Sequence, residues 1–313
     1  MNQMPSTTET AAASENEADS LKWDLHGRIV VMDNGCNLVG RKSFTTYMEW
    51  NSFAVIAFDP GNAYGDDESL KTLEEFQLFP QAVLGNGQSG TLHHCLDAKY
   101  STTLAPMENR WQNEKQKITY QVIAKTPVST VALDNIEGLP NIDWLLLDDR
   151  HDNVAILEHG SRALANTLLV QVRIPFRPTH HGQGDIAQIS HWMARHGFRF
   201  YCFQNSAFHS HLPTERTLEK VHASELLSAD ALFVPTDERL ANLGTKQLTK
   251  LAFILHGVYK IYDFCYELFV QIDAKKAEDY LIAQGYVWPV DENETYFVLT
   301  EDYSPDIWAN ESA

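Results

Sequence analysis

One stretch near the N-terminus constrains the fold more than any other. The apolar run Ile29 to Met32 ends in Asp33, and a small-residue turn with Gly35, Cys36 and Gly40 follows. Arg41 to Trp50 suits a helix, and a second apolar run, Phe53 to Phe58, ends in Asp59-Pro60. This order predicts a strand, a glycine turn, a helix and a strand that stops at an acid. Such a unit can carry a nucleoside across the carboxyl ends of its strands. The glycines admit close backbone approach, and the second acid can accept hydrogen bonds from ribose hydroxyls. The dinucleotide fingerprint Gly-x-Gly-x-x-Gly is absent. An ordinary βαβ unit with a tight turn fits the same residues.

The alternation continues down the chain. Phe76 to Leu84 predicts a third strand, and Gly85 to Gly90 a hairpin turn with Thr91 to Leu96 returning from it. Tyr120 to Ala124 and Val128 to Leu133 read as short strands. Asp143-Trp-Leu-Leu-Leu-Asp148 is a continuous apolar run between acids, the pattern of a parallel strand buried on both faces. Val154 to Ala165 predicts an amphipathic helix and Leu168 to Phe176 a strand. Ile186 to His196 predicts a helix closed by Gly197. Phe198 to Phe203 and Ala231 to Pro235 read as strands, and Lys246 to Ala283 as helical. The expected fold is α/β: a mostly parallel, doubly wound sheet with helices on both faces and a helical C-terminal extension. Its ligand belongs at the strands' carboxyl ends, where Asp33, Asp59 and Asp148 stand.

Composition narrows the function classes. A chain of 313 residues can bury a sizeable core as one large domain, with or without an appendage. The net charge of −18 is concentrated at the ends: residues 1–20 and 290–313 are rich in acids and hold no Lys or Arg. The body is mildly acidic, and no dense basic run exists to meet a nucleic acid. No stretch of about 18 apolar residues would span a membrane. The N-terminus lacks the basic start and apolar run of a signal peptide. The four cysteines, widely spaced, read as reduced thiols, and the cytoplasm is the expected compartment. Residues 1–20 are expected to be a disordered acidic tail, 21–240 the α/β domain, and 241–313 a helical extension packed on it.

From about Val128 to Phe200 the order of features resembles the FkbM family of S-adenosylmethionine-dependent methyltransferases. The residues that carry the resemblance are Thr130 to Ile136, Asn141 to Asp148, Ile156 to Gly160, Leu168 to Val172, Phe176-Arg-Pro and His196-Gly-Phe. Asp33-Asn-Gly-Cys-Asn resembles the family's glycine motif, Ala57-Phe-Asp-Pro its ribose-binding strand end, and Pro80 to Gly85 the stretch after its third strand. Ala229 to Val234 and Lys250 to Gly257 resemble its C-terminal part, so the likeness covers roughly residues 25–270. It implies a seven-stranded methyltransferase sheet with its last strand antiparallel, and methyl transfer to an oxygen of a sugar, polysaccharide or natural product. It implies S-adenosylmethionine as cofactor. Asp33, Gly35, Cys36 and Asn37 would line its methionine end, Asp59 would hold its ribose, and Gln81 and Ala82 would lie near its adenine. Asp148 would face the transferred methyl. The chain departs from the pattern at Leu146, where the family carries Lys, and at His151, Asn153 and Arg173, where it carries Gly, Glu and Glu.

Single residues admit two readings. Asp148 can orient an acceptor hydroxyl or take its proton, or it can cap the following helix, as can Asp149. His151 titrates in the right range for a base, or is a helix-start histidine. Asp59 is a ribose ligand or a turn aspartate before proline. His180-His181, His209-Ser-His211, His93-His94 and His191 with His196 lack a recognised zinc spacing, so no metal is expected. Gly-x-Ser-x-Gly is absent, which argues against a serine hydrolase. Two functions are therefore carried forward. One is an O-methyltransferase acting on a small-molecule or glycan acceptor, with Asp148 and His151 as catalytic candidates. The other is a catalytically degenerate binding or assembly module of the same fold, suggested by Leu146, Asn153 and Arg173.

Overall fold

The computed structural model describes residues 23–107, 114–213 and 222–287. The expected acidic tail, residues 1–20, lies outside the described residues. The described residues divide into two compact units, Trp23–Leu268 and a second that begins at Phe269.

The first unit is built on a seven-stranded sheet. Its strands are β1 (Ile29–Asn34), β2 (Phe53–Asp59), β3 (Phe76–Pro80), β6 (Trp144–Leu147), β7 (Leu169–Pro175), β8 (Phe198–His209) and β9 (Glu225–Pro235). Their order is β3-β2-β1-β6-β7-β9-β8. The strands β3 to β7 in that order pair in parallel, and β9 runs antiparallel to both of its neighbours. The chain starts in the middle, winds outward to β3, returns beside β1, and winds outward the other way. This is the doubly wound methyltransferase-type sheet, with its topological switch between β1 and β6.

Local chemistry explains the elements. The β6 residues Trp144, Leu145, Leu146 and Leu147 are all buried, as a strand covered on both faces requires. Leu145 and Leu147 join Val170, Val172, Ile189, Met193 and Phe233 in the core under one face. On the other side, Trp144 packs against Phe53 and Tyr259. The helix Ile186–Arg195 starts in a capping box, Asp185 with Gln188, and its chain turns out of the helix at Gly197, φ +75°. Lys250, on the helix Thr245–Ile254, donates to Asp143 Oδ2 at 2.7 Å, and the same oxygen accepts from Val30 N at 2.9 Å. That contact ties the C-terminal helix to the start of β1 and β6. In the second unit, the helix Ala274–Ala283 is capped by Asp273, whose side chain accepts from Lys276 N.

Four expectations change. The strand after the Gly85–Gly90 turn does not return along β3. It is β4 (Ser89–Cys95), which pairs antiparallel with β5 (Val122–Ser129) in a separate two-stranded sheet. The two short strands expected around residue 125 are one strand running through Pro127, which a two-stranded sheet tolerates because every strand in it is an edge. The helix expected over 154–165 is shorter, Asn153–Glu158, because Gly160 packs against Leu133 and the chain turns there. The helical stretch 246–283 breaks at Lys260, which takes the left-handed conformation, φ +58°.

Candidate functional site

The register brings the three strand-end acids to one end of the sheet. Asp33 lies opposite Ala57 and Leu146, and Asp59 ends β2 two residues further on. Asn34 pairs with Leu147, so Asp148 comes level with Gly35. The Cys36 thiol feels all three carboxylates. Burial first, then Asp33, Asp59 and Asp148, push its pKa far above the ordinary range.

The three acids have different occupations. Asp33 Oδ1 accepts from Asn37 N at 2.8 Å and Oδ2 from Leu38 N at 2.7 Å. Asp59 repeats the geometry: Oδ1 accepts from Ala63 N at 2.9 Å and Oδ2 from Tyr64 N at 2.7 Å. Both carboxylates are buried and fold back on their own turns. Burial raises the Asp33 pKa to about 6 against the pull of those two N–H groups. Asp148 is held instead by Arg150, which donates Nε to Oδ2 at 2.6 Å and its backbone N to Oδ1 at 3.1 Å. Arg150 Nη2 also donates to the Gly35 carbonyl at 2.8 Å.

Gly35 is where the backbone most needs glycine. Its φ is +91°, and a Cβ there would stand 2.1 Å from Asp148 Oδ2 and 2.6 Å from Arg150 Nη2. Above this turn lies a polar cavity of about 600 Å³. The glycine turn contributes Gly35, Cys36, Asn37, Gly40 and Arg41 to its wall, and the end of β6 contributes Asp148, Asp149 and Arg150. Tyr64, Lys99, Tyr100 and Tyr120 close one side, and Gln171, Arg173 and Asp230 the other.

The residues singled out from sequence are distributed as follows. Gly35, Cys36, Asn37 and Asp148 line the cavity, whereas Asp33 and Asp59 stand behind it as clamps of its loops. Gln81, φ +59°, is exposed and donates its backbone N–H to Asp59 O at 2.8 Å. Ala82 lines a separate apolar recess of about 300 Å³ with Phe58, Phe79, Ile136 and Pro140. His151 is buried behind the cavity wall. Its Nδ1 lies 3.0 Å from Thr103 Oγ1, its Nε2 has no hydrogen-bond partner, and burial lowers its pKa.

The departures at Leu146, Asn153 and Arg173 have structural explanations. Leu146 is fully buried. Asn153 donates to the Asp148 carbonyl and anchors the helix that follows. Arg173 lies opposite Asp230 across the β7–β9 pair and bonds it at 3.1 Å, with further bonds to Ser228 Oγ and the Asn205 carbonyl. Arg150, Arg41 and Lys99 line the cavity without belonging to any motif legible in the sequence, and Asp149, legible there only as a helix cap, lines it too. For Arg150 the sequence offers only Asp148-Asp-Arg: two acids and a base at a strand end, where one charge must answer another. Asp149 lines the cavity, and burial, followed by its neighbour Asp148, raises its pKa to about 6.

A cluster of cation-ligating side chains lies outside the cavity. The β8–β9 pairing sets His209 opposite Glu225, and the ligand atoms of His209, His211 and Glu225 lie within 4.8 Å of one another. Glu225 Oε2 already faces Arg177 at 3.4 Å and His211 at 3.3 Å.

No family model matches the chain, and no curated protein matches it. Among solved structures it is similar to magnesium protoporphyrin IX methyltransferase from Synechocystis PCC 6803 with bound SAM. Identity there is 11%, over 67% of this chain and 71% of that one, with a TM-score of 0.33. It is similar to precorrin-6y C5,15-methyltransferase from Geobacter metallireducens GS-15 at 9% identity, over 68% and 84% of the two chains, TM-score 0.32. A complex of LepI with SAM is similar at 10% identity, over 71% and 46%, TM-score 0.33. Likenesses this distant carry no argument about ligand or reaction. The fold assignment rests on the strand order.

Among the described residues no helix is long and apolar enough to cross a membrane.

Proposed function

We propose that this chain is an S-adenosylmethionine-dependent methyltransferase that carries a methyl group to an oxygen of a small-molecule or glycan acceptor. The observation that carries the reading is the polar cavity over the Gly35 turn, at the switch between β1 and β6 where doubly wound sheets bind ligands. The residues suit the cofactor's methionine end. The Gly35 carbonyl and the Asp148 carboxylate both accept from the chain's own Arg150 guanidinium, which supports reading them as a place for a cation. An ammonium group has the same charge and donors, and it would take this place with Arg150 displaced. Asp59 would reach a ribose only through lone pairs left over from its two backbone bonds.

When bound, the cofactor supplies a methyl group on a sulfonium leaving group. The protein's part is to align the acceptor oxygen, exclude water and receive a proton. Asp149 is the better base of the two neighbouring acids. It lines the cavity and its pKa of about 6 leaves it ionised at neutral pH yet basic enough to accept a proton. Asp148 orients. His151, behind the wall on Thr103, supports the loop from the rear.

The test is incubation of the full chain with methyl-labelled S-adenosylmethionine and a panel of hydroxyl-bearing small molecules. Label should pass to a product in the wild type and fall by about a hundredfold or more in Asp149→Asn. Calorimetry with S-adenosylhomocysteine should show binding in both. Binding in neither would sink the reading.

One observation favours the second reading, a binding module without catalysis. Arg150 sits on Gly35 with an acid of its own, which is how a chain that no longer admits a cofactor would close the site. Under that reading S-adenosylhomocysteine fails to bind the wild type.

A further inference from the structure

Two of the cations that line the cavity have no ion-pair partner on its wall, and the acid nearest Arg41, Asp33, stands behind that wall with both oxygens bound to backbone N–H groups. Four cations line it, Arg41, Lys99, Arg150 and Arg173, against three carboxylates, Asp148, Asp149 and Asp230. Arg150 is paired with Asp148, and Arg173 with Asp230. Arg41 and Lys99 form no salt bridge with any described acid. Arg41 Nη2 donates to Gln171 Oε1 at 3.1 Å, a neutral partner that Tyr259 shares at 2.6 Å. Lys99 Nζ lies over the Tyr64 ring, 5.0 Å from its centroid.

The two cations without an ion-pair partner belong to one wall. A Cβ on Gly40 would lie 3.1 Å from the Tyr64 hydroxyl, so that hydroxyl rests against the backbone next to Arg41. The Lys99 ammonium lies over the same tyrosine's ring. The order across the wall is therefore Lys99, Tyr64, Gly40, Arg41. Beside it, the Tyr100 and Tyr120 rings meet at 4.6 Å and give the cavity an aromatic flank. A half-enclosed pocket with a guanidinium and an ammonium left over is matched by an anion, because charge-assisted bonds are the strongest it can offer.

We propose that this cavity takes a small ligand bearing an anionic oxygen group, carboxylate or phosphate, with Arg41 and Lys99 as its counter-charges. That the ligand is the methyl acceptor rests on the methyl-transfer reading above; that it is an anion does not. The aromatic flank leaves room for a ring-sized body beside the charged group.

Titration of isotope-labelled full-length protein with inorganic phosphate, and separately with acetate, tests this by amide chemical shifts. The Gly40, Arg41 and Tyr64 signals should move saturably with at least one anion, and which one distinguishes phosphate from carboxylate. The affinity should weaken by about tenfold or more in Lys99→Gln and in Arg41→Gln, and it should fall as sodium chloride is raised. Glycerol, the neutral control, should move nothing. Absence of saturable shifts with both anions overturns the proposal. So does an affinity that the double variant Arg41→Gln, Lys99→Gln leaves unchanged in a folded protein. Saturating S-adenosylhomocysteine should leave the phosphate or acetate response in place; its loss would assign the charges to a cofactor carboxylate and overturn the acceptor role. Anion binding without S-adenosylhomocysteine binding would retire methyl transfer and keep the anion site. The reverse would retire the anion site alone.

Discussion

The turns after β1 and β2 and the turn after β6 begin alike, with an aspartate at the mouth of a parallel strand, and they use it differently. Asp33 and Asp59 each accept the backbone N–H groups of the fourth and fifth residues onward, one per oxygen. They shape loops. Asp148 reaches only its second neighbour, and it does so through Arg150, leaving Asp149 beside it on the cavity wall. A strand-end acid is thus a clamp where the chain curls back to offer both its oxygens N–H groups, and a site residue where one oxygen is taken by a side-chain cation.

The comparison predicts opposite effects of substitution. Asp33→Ala and Asp59→Ala should be the most damaging to stability, by about 3 kcal/mol each, because each strands two backbone donors in a buried turn. Urea denaturation of the two variants measures this; losses under about 1 kcal/mol would make them ligands in waiting, not clamps.

Gly35→Ala comes next. The added methyl meets Asp148 and Arg150 in a left-handed conformation, and about 2–3 kcal/mol should be lost. Gly138→Ala is the control: its φ is +72° with nothing within 4 Å, so only the backbone strain of about 1 kcal/mol applies. Equal losses at both positions would show that the space over Gly35 is not filled by the ion pair.

Asp149→Asn should change the pH response of stability most. Burial raises the folded-state pKa to about 6 from an ordinary 3.8. The native state therefore holds the proton more tightly than the unfolded chain does. Its contribution to stability is complete below pH 3.8 and is lost as pH rises through 6. The wild type should lose stability relative to Asp149→Asn across that window, and a flat difference would remove Asp149 from the cavity's charge balance. Methyl transfer by the wild type should rise through the same pH range, since the base acts ionised.

Much of the scaffold could be read from the chain. β1, β2, β6 and β7 were legible because a strand buried on both faces is an apolar run bounded by turn residues. The β4–β5 sheet was not, because Gly85 to Gly90 carries a hairpin's residues while the strand's true partner lies some thirty residues on. At the site, the glycine turn and Asp148 were legible from position alone. The clamp role of Asp33 and Asp59 was not, since it depends on where N–H groups four and five residues later come to point. Arg41 and Lys99 were invisible for a related reason: two isolated cations gain meaning only when the fold brings both to one cavity wall with no ion-pair partner among the described acids.

A crystal structure of the full chain with S-adenosylhomocysteine tests the central claim most directly. The account predicts the ligand against Gly35 and Asp148, with Arg150 moved off the Gly35 carbonyl while Asp33 and Asp59 keep their backbone bonds. Arg150 still on Gly35 in crystals grown with excess ligand, and no ligand in that cavity, would contradict it.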